Sequence, residues 1–256
     1  MATLALTLQD REHFIHSLAL PAVPSKLRAL GLAATVRGEK QGAFVDAGSI
    51  ISFVAGISEN RQRDTLNSVL LAQLAADNKF DRAAKTEDWY KYYNDVLEHI
   101  GWVTQAQRWK TYDAHGKDLD VDKAVLEILT AVATQNELAA ITAAINGAKS
   151  LADGDGRITL FDHFVANAEA GAFQLGAASE QGGAVALRLG SFRYTSKSTI
   201  TKVLWFKFST RDTKLDYSQQ EITLNAALYD AVRTTVETKL KDQADKFLAD
   251  LDVHAP

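Results

Sequence analysis

The stretch Ala184-Val185-Ala186-Leu187-Arg188-Leu189-Gly190-Ser191-Phe192-Arg193-Tyr194 decides the fold class. Val185, Leu187 and Leu189 alternate onto one face of an extended chain, as a period of two requires. Phe192 and Tyr194 fall on the other face, so the phase change at Gly190 predicts a bulge or bend. Ala172 to Ala178 reads as a strand before it. Thr199 to Ser209 reads as one after it, with Val203, Leu204, Trp205 and Phe206 apolar in succession, as in a strand covered on both faces. Lys214 to Leu224 can return as a further strand. Short polar turns join these segments, which favours antiparallel pairing.

Away from this region the periodicity is mostly helical. Thr7 caps a helix over Leu8 to Leu20, which Pro21 ends, and a short helix from Pro24 to Leu30 stops at Gly31. Leu32 to Val54 carries Gly38, Gly42 and Gly48 among β-branched and aromatic residues and reads as one or two strands. Ser58 opens a helix to about Ala76 on which Leu66, Val69, Leu70, Gln73 and Leu74 recur at three and four. Thr86 opens another, with Trp89, Tyr93, Val96, Leu97 and Ile100 on its inner face; Tyr90 and Tyr92 lie off that stripe. Gly101 stops it. Trp102 to Tyr112 alternates as a strand. Asp120 begins a helix to Ala133, and Thr134 with Glu137 forms a capping box for the next, to Ser150. This Ala-rich pair is an αα-hairpin. A short helix over Thr159 to Glu169 follows, and Asn225 caps a closing helix with Leu228, Val232, Val236, Leu240, Ala244 and Leu248 at spacing four. Ser218 with Glu221 is a rival capping box. The expected architecture is one α+β domain over 1–256, mainly helical to 170, strand-rich over 171–224 and helical over 225–251. Its core is an antiparallel β-sheet of about four to six strands covered by α-helices.

The chain has 256 residues, 46% of them hydrophobic, enough for a sizeable core without staples. Its 28 Lys and Arg against 32 Asp and Glu argue against a general polyanion binder. There is no cysteine, which excludes disulfides, thiol nucleophiles and thioester-linked lipid. The start of the chain lacks the basic and uninterrupted apolar regions of a Sec signal, and no apolar run reaches the ~20 residues that cross a bilayer.

Motifs that carry chemistry are weak. Asp153-Gly154-Asp155-Gly156-Arg157-Ile158 resembles the middle of a calcium loop. Its first ligand position is Leu151 and its last is Asp162, so it reads as a capped turn. His13 and His16 lack the HExxH arrangement of zinc hydrolases. Neither Gly-x-Ser-x-Gly nor Ser-x-x-Lys singles out an activated serine, and no glycine run matches a P-loop or dinucleotide fingerprint. His115 with Asp113 is the pair to mutate if the chain is an unrecognised hydrolase. Arg193, Lys202 and Lys207 interleave with Phe192, Tyr194, Trp205 and Phe208 as a base-stacking sheet would, but the acidic balance and missing RNP motif argue against nucleic acid.

Three further stretches are distinctive. Gln41-Gly42-Ala43-Phe44-Val45-Asp46-Ala47-Gly48-Ser49-Ile50-Ile51-Ser52-Phe53-Val54-Ala55-Gly56-Ile57-Ser58 is the first. Leu66-Asn67-Ser68-Val69-Leu70-Leu71-Ala72-Gln73-Leu74-Ala75-Ala76 is the second, and Trp89-Tyr90-Lys91-Tyr92-Tyr93 with Gly101-Trp102-Val103 the third. Together they resemble bacterial proteins of the Erwinia virulence factor (Evf) type, over most of the chain. The resemblance implies an α/β protein tied to persistence in, or toxicity to, insects, with no established enzymatic activity. The family's type member carries a fatty acyl group on a buried cysteine. Here no cysteine exists to form that thioester. The corresponding region, around Phe173 to Ser179, either leaves room for a non-covalent fatty acid or is filled by side chains.

The resulting expectation is a non-enzymatic virulence or insecticidal-type protein that acts through a host membrane, lipid or receptor. The alternatives are a non-lytic lipid-binding or scaffold protein and an unrecognised hydrolase. No metal or cofactor is expected. Phe173, Leu175, Leu187, Leu189, Trp205 and Phe206 are the candidates to line a lipid cavity. A protein of this kind would be made in the bacterial cytoplasm without a Sec signal and released by a signal-independent route.

Overall fold

The computed structural model describes residues 6–32, 34, 36, 38, 40–113, 118–166, 169–197, 207–209 and 211–253. The chain runs α1 (Leu8–Ser17), α2 (Ser25–Arg28), β1 (Gly42–Asp46), β2 (Ser49–Phe53), α3 (Glu59–Lys79), α4 (Thr86–His99), β3 (Trp102–Val103), β4 (Lys110–Thr111) and β5 (Asp118–Asp120). It continues with α5 (Val121–Leu129), α6 (Gln135–Ser150), α7 (Gly156–Val165), β6 (Ala170–Gln181), β7 (Ala184–Ser196), β8 (Lys207–Ser209) and β9 (Thr213–Leu224). The last elements are α8 (Ala226–Leu240), a 3₁₀ turn at Lys241–Gln243, α9 (Ala244–Phe247) and β10 (Leu248–Asp250).

The fold is α+β, as the sequence implies. The main sheet is larger than expected, with eight strands in the order β10-β1-β2-β6-β7-β9-β3 and β4 also on β9; β5 and β8 form a separate ribbon. Most neighbours are antiparallel, but β2 and β6 pair in parallel, Ile50 opposite Leu175. A long helical excursion separates these two strands, and such a crossover permits parallel pairing.

The bend expected at Gly190 is not there. β7 keeps an unbroken register with β6 and with β9, Gly190 opposite Leu175 and Gln219. The apolar residues change phase because helices cover both faces, so each face needs its own apolar side chains. On one face Phe173 meets Phe161 of α7, and Leu129 of α5 lies against Gly190. On the other, Asn94 of α4 accepts from Gln220 at 3.5 Å, and Gln73 of α3 reaches Asp46. We call these the hairpin face and the α3–α4 face.

Four helix starts follow the predicted caps: Thr7 with Asp10 and Thr134 with Glu137 form complete capping boxes, and Ser58 and Asn225 accept from the first turn of their helices. The helix expected over Thr159 to Glu169 instead starts three residues earlier, at Gly156 under the Asp155 cap, and ends at Val165, while α4 starts without a side-chain cap. The segment resembling a calcium loop is the turn before α7, as read: Gly154 has φ +85°, and Asp155 caps the helix while pairing with Arg157 at 2.9 Å. Other boundaries differ. Trp102 to Tyr112 is two short strands joined by irregular chain, held on β9 through Trp102 opposite Leu224 and Lys110 opposite Tyr217. The closing helix ends at Leu240, where Lys241 takes φ +41°, and Leu248–Asp250 pairs with β1 instead. Burial of Leu248 and Ala249 at the sheet edge outweighs the helical spacing. Of Thr199 to Ser209, only 207–209 is described, and it pairs with β5 outside the main sheet. Tyr90, expected off the helix stripe, is fully buried, because both the sheet and Trp109 cover α4 on that side.

Candidate functional site

The four expected lipid-cavity residues that the structure describes lie on two different faces of the sheet. Phe173 and Leu175 point to the hairpin face, and Leu187 and Leu189 to the α3–α4 face, by the register of β6 with β7. All four are fully buried, and Phe173 stacks on Phe192 at 5.0 Å. Trp205, Phe206 and His115 lie outside the described residues, while Asp113 is exposed. Phe192 and Tyr194, read as base-stacking partners, are buried, and Arg193 pairs with Asp216 at 2.8 Å.

Two other constellations emerge. The first joins the α5–α6 hairpin to the sheet. α5 buries Val121, Ala124, Val125, Ile128 and Leu129, and α6 buries Ala140, Ile141, Ala144, Ile145 and Ala148, each at helical spacing. At the N-terminus of α6 the Glu137 carboxylate is completely buried. Oε2 accepts from the Thr134 backbone at 2.8 Å and its hydroxyl at 2.9 Å; Oε1 accepts from Ser179 Oγ of β6 at 2.6 Å and from Arg188 Nη1 of β7. Arg188 also reaches Glu221 of β9 at 3.2 Å. One carboxylate therefore caps the helix and ties it to the sheet. Lys149 pairs with Asp122, bracing the hairpin on itself.

The second is a buried polar chamber on the α3–α4 face. Gln73, within the apolar stripe of α3, accepts from the Gly48 backbone at 3.1 Å and donates to the Asp46 carbonyl at 2.9 Å. Arg82 binds Asp77 at 3.0 and 2.7 Å and Gln73 at 3.2 Å, with its guanidinium 4.3 Å from the Trp89 ring. Trp89 Nε1 donates to Asp77 at 2.7 Å. Ser49 donates to Gln174 at 3.0 Å on the same face. Asp46 Oδ2 and Arg82 Nη1 are buried with no hydrogen-bond partner. Burial holds the Asp46 carboxyl well above the usual carboxylate range, against the pull of Arg82.

That direction fixes a pH effect. The folded state holds the Asp46 proton more tightly than the unfolded one, so this stability is complete below the ordinary carboxylate pKa. It is lost as pH rises through the raised value. The native chain is therefore expected to show a decline in urea midpoint as pH rises from acid, and Asp46→Asn to remove it. Parallel pH profiles for the two proteins would contradict this.

Beside the chamber opens a cavity of about 310 Å³ lined by Asp77, Arg82, Phe80, Phe164 and Phe247 among others. A groove of about 590 Å³ runs along α4, where Tyr90 and Trp109 sit under Glu87, Asp88, Asp95 and Glu98. Among the described residues no three His, Asp or Glu side chains gather as a metal site would need. The Ser49, Ser179 and Ser191 hydroxyls are engaged by Gln174, Glu137 and Gln107.

The sequence had marked these groups without revealing their role. Glu137 was read as a cap and Gln73 within the stripe of the helix after Ser58, while Asp46 was quoted only as part of the Gln41 to Ser58 stretch. A polar residue at a core position was the available signal.

No protein-family model matches the sequence, and no curated protein matches it. Solved structures resembling it include a delta-endotoxin, at 11% identity and a TM-score of 0.39, covering 84% of this chain and 96% of that one. The Evf virulence factor is similar at 10% identity and a TM-score of 0.36, covering 93% and 90%. The activated Cyt2Ba monomer of Bacillus thuringiensis subsp. israelensis is similar at 11% identity and a TM-score of 0.38, covering 70% and 97%. Scores below 0.5 leave the functional reading to the chain's own residues.

Proposed function

We propose that this chain is a non-enzymatic virulence or insecticidal-type protein that acts on a host membrane by moving the α5–α6 hairpin off the sheet. The observation that carries the reading is the hairpin itself. It is a pair of amphipathic helices laid over the apolar face of long strands and tied there through the buried Glu137. Released, its apolar stripe is of the kind that enters a bilayer interface, and the strand face beneath would be free to follow. No helix among the described residues is long and apolar enough to cross a membrane, so insertion on this reading requires rearrangement. The resemblance of the three quoted stretches to Evf-type proteins supports the same class.

A cysteine-free chain makes the test clean. A Cβ built at Gly147 of α6 lies 4.0 Å from Cβ of Val253 beyond β10, within the range that a disulfide spans. The G147C/V253C protein, oxidised, is expected to lose dye release from liposomes and to regain it on reduction. Equal leakage in both redox states, or background leakage by the native chain across pH and lipid composition, would overturn the mechanism.

A second reading is non-lytic lipid binding or scaffolding, favoured by the cavity walled by Phe80, Phe164 and Phe247. Native mass spectrometry beside the denatured mass tests it: a few hundred daltons lost on denaturation supports a bound lipid, and a bare mass removes it.

A further inference from the structure

We infer that residues 241–253 form a strained latch on the sheet edge and on α6, and that on release they extend α8 as one continuous amphipathic helix. The inference rests on the membrane reading above for what release achieves, and adds to it the element that controls the hairpin.

α8 stops for no local reason. Between Ala226 and Leu251 there is neither glycine nor proline. Leu240, Ala244, Phe247, Leu248 and Leu251 recur at three and four, continuing the face that α8 buries through Val232 and Val236. Yet Lys241 takes φ +41° and ψ −124°, a positive-φ conformation that suits glycine and strains a side chain. Among the described residues three that are not glycine have positive φ, and all three belong to this latch or its seat. Lys241 opens it and Asp252, at φ +53°, lies near its end. Ala47, at φ +49°, donates its N–H to the Phe247 carbonyl at 2.9 Å. Aspartate tolerates such a conformation more readily than alanine or lysine does. Strain of this kind persists only where the surroundings over-determine it.

Here the surroundings are the sheet edge. Val45 pairs with Ala249, and the Leu251 N–H donates to the Ala43 carbonyl at 2.9 Å. Arg157 of α7 donates to the Asp250 carbonyl at 3.2 Å and to Asp252 at 2.8 Å. Phe247, Leu248 and Leu251 are buried in this seat. Beyond them Val253 covers α6, where a Cβ on Gly147 would meet Val253 Cγ2 at 2.6 Å, so lifting the hairpin means breaking this contact. At the joint a hollow of about 260 Å³, lined by Leu66, Asn67, Leu240, Ala244 and Leu248, leaves space for the chain to turn. The same apolar side chains thus fit two places, the sheet edge in water and one face of a helix in a lipid interface. A ligand shifts such a pair of states only by favouring one of them. An interface does so: it takes up Phe247, Leu248 and Leu251 together, and Lys241 regains a helical backbone.

Substitution at the exposed Lys241 tests the latch, since backbone preference there separates the two states. Glycine suits the latch and disfavours the helix, whereas valine suits positive φ least. Hydrogen exchange of the full chain in solution is read at the Ala47 and Leu251 amides. It should slow about tenfold or more in K241G, the factor one left-handed side chain is worth, and quicken in K241V. With phosphatidylcholine vesicles, dye release should follow the same order, K241V fastest and K241G slowest. Far-ultraviolet circular dichroism should show helix gained on the vesicles by the native chain and less by K241G. Should K241V not fold, K241G against the native chain carries the same comparison. Equal exchange in these proteins, or faster exchange in K241G, would overturn the latch. Exchange in the expected order beside equal leakage rates would refute its control of the hairpin. The expected order of exchange with no leakage from any of the proteins would support the latch and overturn the membrane reading instead.

Discussion

Glu137→Ala is expected to destabilise the protein by about 3 kcal/mol, the lower end of what breaking one partner of a buried ion pair costs. The lower end applies because Arg188 keeps Glu221 at 3.2 Å and retains some solvent contact. Three separate supports go with the one side chain: the cap on Thr134, the bond from Ser179 and the bridge from Arg188. Urea denaturation measures the loss. Hydrogen exchange locates it, and the amides of α5 and α6 should open first while those of β6 and β7 stay protected. Arg188→Ala in the same background should cost far less than in the native chain, since the two residues share one interaction. A loss below about 1 kcal/mol, or opening spread evenly over the sheet, would show that Glu137 does not hold the hairpin. On the membrane reading, the same variant should release dye faster than the native protein.

Gly48→Ala is the second change with a large expected effect. Gly48 occupies the β1–β2 turn after Ala47, which itself takes φ +49°. Its N–H donates to Gln73 and its carbonyl accepts from the Gln174 backbone, both at 3.1 Å, so the backbone is pinned from two sides. A Cβ there would overlap Arg82 Nη1 and meet Phe164 Cβ at 3.2 Å. Arg82 would have to leave Gln73 or Asp77, exposing or unpairing a charge that is now stacked on Trp89. A loss of about 3 kcal/mol or more follows from overpacking together with a broken buried pair. Trp89 fluorescence should shift with it, since Asp77 binds the indole. Gly182→Ala is the control: its φ is +59° but open space surrounds it, so only the backbone conformation opposes a side chain, at about 1–2 kcal/mol. Equal losses in the two variants would refute the steric account.

Legibility followed the range of the interaction involved. Helix starts at Thr7, Ser58, Thr134 and Asn225 were readable because a cap is a contact between residues two or three apart. The strands β6, β7 and β9 were readable because alternation is local. The strand at Leu248–Asp250 was not, because the same residues fit a helix at spacing four and only pairing with β1 selects the extended form. The phase change at Gly190 was misread as a bend for a related reason. One strand cannot report that helices will cover both of its faces.

The site was harder still. Glu137, Ser179 and Arg188 are separated by 42 and 51 residues from the first to the others, and the capping box accounted for Glu137 by itself. Asp46, Gln73, Arg82 and Trp89 come from β1, α3 and α4 with its preceding loop, and no spacing links them. The sequence alone determined the α+β class, most helix starts, the absence of thiol chemistry and the acidic balance, all properties of composition or of neighbours along the chain. Tertiary structure decided the parallel β2–β6 junction, the burial of Glu137 against Arg188, and the meeting of Asp46, Gln73 and Arg82 in one buried chamber. These depend on which distant segments share a surface, and that choice is made by packing the whole core at once.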